Sequence, residues 1–100
     1  MNNGIENTIF TRNQDVVSRK VTGELFLVPV KGKLADMEKI FALTAVAEYI
    51  WDRLDGKRNL IDIRDEVVSH FEVSDEQADA DIYGFIQELL EAGLIHKVDI

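Results

Sequence analysis

Three observations predict an α+β fold for this chain of 100 residues. Val16, Val17 and Val21 stand before Thr22-Gly23, and Leu25, Phe26, Leu27, Val28 and Val30 stand after it, which is the pattern of a β-hairpin. Beyond residue 43, three stretches carry apolar residues at helical spacing. Each stretch opens on a capping type of residue: Thr44, Asn59 and Ser74. The expected architecture is winged helix-turn-helix-like, a three-stranded antiparallel sheet followed by three helices.

The elements follow in order. Residues 1–14 are polar, with neither the basic start nor the apolar core of a secretory signal, and are expected to be a flexible N-terminus. Residues 15–100 then form a single domain. Pro29 donates no ladder hydrogen bond and belongs at a strand end or on an edge. Lys31-Gly32-Lys33 is a second turn signal. The segment from Met37 to Leu43 reads as a third strand, with Phe41 and Leu43 on one face and Ile40 and Ala42 on the other; Met37 to Ala47 also suits a helix.

In the first helix Val46, Ile50 and Leu54 lie at i, i+4 and i+8 beside Ala47 and Trp51, and Gly56 is the expected left-handed stop. The second places Leu60, Ile63, Val67 and Phe71 on one face behind Asn59. The third starts at Ser74 with Gln77 at capping-box spacing. It ends at Gly93, where Leu94 can fold back onto Leu89 in a Schellman arrangement. Turning about 100° per residue, Phe85, Ala78, Leu89 and Ile82 form one stripe. Ile86, Leu90 and Tyr83 widen the apolar arc to roughly 160°, more than one core contact requires. The third helix should therefore touch something on two sides.

Composition bounds the function. Hydrophobic residues at 46% and charged residues at 30% are ordinary for a soluble globular domain. No apolar run approaches the ~20 residues of a bilayer span. The absence of cysteine excludes disulfides, thiolate zinc sites and protein-held iron–sulfur clusters. Cytoplasm is the expected address. The net charge of -8 is uneven: residues 1–43 hold six basic and five acidic side chains, residues 44–95 four and thirteen. The third helix has no Lys or Arg and carries Asp75, Glu76, Asp79, Asp81, Glu88 and Glu91, which repel phosphate. Neither nucleic acid nor membrane is an expected partner; basic surfaces are favoured.

Catalytic constellations are missing from the pattern. Ser69 and His70 are adjacent on a helix and point apart. His70 and His96 have no metal-ligand spacing, and Asp62-Asp65-Glu66 and Asp79-Asp81 lack the rhythm of a calcium loop. Gly23 and Gly32 belong to strand turns rather than to a phosphate loop. The chain is expected to be no enzyme and to carry no cofactor or metal. Binding is what remains. An edge strand offers free backbone groups to an incoming strand, and the third helix offers an apolar flank beside it.

The segments TAVAEYIWDRLDG and ADADIYGFIQELLEAGLI resemble the coenzyme PQQ synthesis protein D (PqqD) family, the stand-alone form of the RiPP recognition element. The resemblance lies in Ile50, Trp51, Leu54 and Gly56 of the first helix and in Asp81, Phe85, Ile86, Leu89, Gly93 and Leu94 of the third. It spans about residues 15–96. Leu43-Thr44 stands where the family usually has Leu-Asn, and Thr can still cap.

The resemblance implies a peptide chaperone, which binds the leader region of a ribosomally made precursor peptide as an added strand. The chaperone then hands the peptide to a maturation enzyme, often a radical SAM enzyme of the SPASM type. The implied groove comprises the backbone of Glu38, Lys39, Ile40, Phe41 and Ala42 with Asp81, Ile82, Phe85 and Ile86. The helical projection adds Asp79 and Tyr83. A monomer or weak homodimer is expected. The rival reading is an acidic winged-helix protein–protein interaction or regulatory module without peptide modification.

Overall fold

Alternation of apolar and polar residues sets the first sheet. The computed structural model describes residues 4–29 and 41–98. Within them the order is β1 (Ile9–Arg12), β2 (Val16–Val21), β3 (Glu24–Pro29), β4 (Phe41–Leu43), α1 (Ala45–Asp52), β5 (Asp55–Asn59), α2 (Leu60–Phe71), α3 (Asp75–Glu91) and β6 (Ile95–Lys97). β2 and β3 pair around Thr22 (φ 52°) and Gly23 (φ 82°), the two positive values that a tight hairpin turn needs. β4 pairs antiparallel with β3 through Leu25↔Leu43, Phe26↔Ala42 and Leu27↔Phe41. Leu25, Leu27 and Leu43 therefore face the core, with Phe41 packed against it, while Ala42 faces out. Of the expected third strand, Glu38, Lys39 and Ile40 fall outside the described residues.

The fold is α+β, but the expected single sheet is one of two. The second has the order β5-β1-β6 and is antiparallel throughout. Its central strand lies in the segment expected to be a flexible N-terminus. That expectation is corrected for Ile9–Arg12: Phe10 is 3% exposed and belongs to the core. Asn13 continues the tether. Its N–H donates to the Leu94 carbonyl at 2.9 Å, its side-chain amide to the Gly93 carbonyl, and its side-chain oxygen accepts from His96 Nδ1.

Gly56 is also reassigned. α1 already ends at Asp52, with Arg53 as its cap. Gly56 (φ 80°) sits instead in β5, where the pairing with β1 slips between Ile9↔Asn59 and Thr11↔Asp55. The ladder is irregular at this point, and a side chain at Gly56 would place its Cβ 3.4 Å from that of Thr11.

All three helices start behind the expected caps, and the last also stops where expected. Thr44 Oγ1 accepts from the Ala47 N–H at 3.1 Å, and Asn59 and Asp62 form a reciprocal capping box. Ser74 accepts from the Gln77 N–H at 3.1 Å, but the Gln77 side chain turns away to Asp81. At the end of α3, Leu94 N–H donates to Leu89 and Gly93 N–H to Leu90, which completes the Schellman motif. The core between helices and sheets is built from Ile50, Trp51, Leu60, Ile63, Val67, Ala78, Ile82, Ile86 and Leu89. Among the described residues no helix is long and apolar enough to cross a membrane.

Candidate functional site

β4 leads directly into the cap of α1, and α3 lies across from it. Between them is an open groove of about 520 Å³. Thr44, Val46, Ala47 and Ile50 form the α1 wall. Ala80, Asp81, Gly84, Phe85 and Glu88 form the α3 wall. Helical spacing explains the second wall: Ala80, Gly84 and Glu88 repeat every fourth residue, with Asp81 and Phe85 on the adjacent row. Among the described residues β4 pairs with β3 and stands at the end of the strand order β2-β3-β4. Thr44, the residue that follows β4, is the point where the strand meets the groove.

The structure separates the sequence-predicted site residues into four groups. Asp81 and Phe85 line the groove. Phe41 and Ala42 lie on β4 beside it. Ile82 and Ile86 are 0% exposed and present no surface to a ligand, which corrects their assignment as contact residues. They are the packed layer beneath α3. Tyr83 and Asp79 do not line the groove, because they lie on other faces of the helix. Tyr83, 39% exposed, projects 100° from Gly84 on the side away from Phe85. Asp79 turns towards α2, where its carboxylate lies 3.8 Å from Arg64.

Sequence reasoning missed Thr44, Val46, Ala47 and Ile50 as a wall, together with Ala80, Gly84 and Glu88. One signal was available. A glycine in the middle of a long helical pattern is unfavourable and asks for a reason.

Several carboxylates away from the groove are held in ion pairs. Glu48 pairs with Lys20 at 3.0 Å, Asp55 with Arg58 at 2.6 Å, and Asp65 with Arg64 at 3.2 Å. Glu66 bridges Arg53 at 3.5 Å and Arg58 at 3.3 Å. At the groove, Asp81 accepts a hydrogen bond from Gln77 Nε2 at 2.8 Å, and among the described residues the Glu88 side chain makes none. Among the described residues neither carboxylate faces a cation.

A second hollow, between α1 and α2, is lined by Tyr49, Asp65, Glu66, Ser69 and His70. The His70 ring stacks on Tyr49 at 4.5 Å, so its place there is one of packing. Among the described residues no group of three or more His, Cys, Asp or Glu could hold a metal ion.

The fold and the groove define a small α+β domain with a helix-walled cleft beside an edge strand. The chain belongs to the coenzyme PQQ synthesis protein D (PqqD) family, whose model matches residues 24–95. Two solved structures share the fold. One is TbiB1 in complex with the TbiA(beta) leader peptide, with a TM-score of 0.71 and 21% identity over 90% of this chain and 99% of that one. The other is a lasso peptide synthetase B1 complexed with the leader peptide, with a TM-score of 0.71 and 20% identity over 87% and 96%. No curated protein sequence matches the chain significantly.

Proposed function

We propose that this chain binds the leader segment of a ribosomally made precursor peptide and presents it to a modifying enzyme. The observation that carries this reading is that β4, terminal in its sheet among the described residues, runs directly into Thr44 of the groove between α1 and α3, in a member of the PqqD family. A peptide laid along β4 gains backbone hydrogen bonds, and its alternate side chains drop towards the groove. The two proteins of similar fold were each solved with a leader peptide, which supports the same use of the fold here. The enzyme receiving the peptide is a radical SAM enzyme of the SPASM type. The chain itself acts by binding and contributes no catalytic group.

The test uses the isotope-labelled chain and a synthetic leader of the precursor peptide encoded beside its gene. Amide shifts are expected to concentrate in Phe41–Leu43, Thr44–Ala47 and Ala80–Glu88. Shifts concentrated on α2 or on the β2–β3 hairpin would rule out strand addition at β4.

A further inference from the structure

Gly84 works against the helix that contains it. Glycine is among the least favourable residues in a helix interior, yet Gly84 stands in the middle of α3, far from either cap. Neither packing nor backbone geometry calls for it. A Cβ built there meets no atom within 4 Å, and Gly84 is absent from the positive-φ glycines. The space a side chain would fill is the groove itself. The sequence thus keeps a seat open where the fold alone would prefer almost any other residue.

The surroundings of the seat specify what fits. Asp81 precedes Gly84 by three residues and Glu88 follows it by four, so both carboxylates lie on the same face, roughly 10 Å apart along the axis. Both line the groove, and among the described residues neither pairs with a cation. The opposite wall, from Val46, Ala47 and Ile50, is apolar. An acidic occupant could approach the amino end of α1, but it would meet the two carboxylates of Asp81 and Glu88 across the groove. A neutral aliphatic occupant would leave both carboxylates partly desolvated and unpaired.

Resting on the peptide-binding reading above, we infer that the seat over Gly84 takes a lysine or arginine side chain of the bound strand. Its methylene stem lies against Val46 and Ala47, and its charged head lies between Asp81 and Glu88. A long basic side chain has this division into apolar stem and charged tip. Gly84 is then a specificity-determining position, and its cost to the helix is the cost of selectivity.

The probe is a displayed library of random 12-residue peptides panned on the intact chain. Enriched peptides are expected to share a Lys or Arg at one fixed place among β-branched and aromatic residues. Replacing that residue by norleucine in a selected peptide should weaken binding about tenfold, the scale of one charge-assisted contact. The loss should vanish on the Asp81→Asn, Glu88→Gln double variant. Gly84→Ala should raise Tm by about 4–8 °C while weakening the same peptide at least tenfold. Enriched peptides without a fixed basic residue, or unchanged affinity in Gly84→Ala, would overturn the inference and leave peptide binding standing. No enrichment at all would overturn both.

Discussion

Ile86 shows what a one-dimensional pattern can and cannot resolve. The projection placed it on the widened apolar arc of α3, and the resemblance placed it in the groove, yet it is 0% exposed. The arc is wide because α3 packs against α1, α2 and β6 together, so burial takes up most of it. Phe85, one position along, is the residue that turns from the core to the groove. Ile86→Ala should therefore cost about 2–5 kcal/mol of stability through the cavity it leaves. Peptide affinity per folded molecule should stay within about twofold of wild type. Urea denaturation followed by titration of the folded variant separates the two, and a selective loss of affinity would return Ile86 to the groove. Ile86→Asp would place an unpaired charge in the same packed layer and is expected to abolish cooperative unfolding.

At the scale of elements, legibility followed the range of the contacts. α2 and α3, their caps and the Schellman turn were readable because every signal lies within a few residues. The hairpin was readable for the same reason. β1, β5 and β6 were not, since Ile9–Arg12 pairs with strands some forty-five and eighty-five residues away, and nothing local in DGKRN distinguishes a strand from a turn.

β5 is held by charge as well as pairing. Burial acts to raise the Asp55 carboxyl, but the Lys57 N–H at 3.0 Å and the Arg58 guanidinium at 2.6 Å outweigh it, and the group lies below its ordinary 3.8. A depressed carboxylate contributes stability above its unfolded pKa, about 3.9, and loses it as pH falls through the folded value. The stability difference between wild type and Asp55→Asn should therefore be constant from about pH 7 to 5 and shrink below about pH 4. Chemical denaturation across that range measures it. A difference that grew on acidification would mean the carboxylate is not stabilised in the folded state.

Across the whole molecule the charge has a direction. The segment holding α1, α2 and α3 carries more than the whole net -8, the strand segment before it being slightly positive, and its arginines Arg53, Arg58 and Arg64 are engaged by neighbouring carboxylates. The strand segment before β4 is close to neutral, with Arg19 and Lys20 on the outer strand β2. Basic residues on an edge discourage pairing with a second copy, so β2 is guarded, while β4 leads into an anionic groove. A basic segment of peptide approaching from solvent is drawn to the helical side, and steering of this kind acts on the encounter more than on the bound state. For a selected peptide carrying a basic residue, the association rate should fall about tenfold between low salt and roughly 0.5 M, with dissociation changing less than threefold. Stopped-flow fluorescence resolves both rates. If dissociation carries the salt dependence instead, the carboxylates act chiefly in the bound complex, and the surrounding acidic surface serves solubility rather than capture.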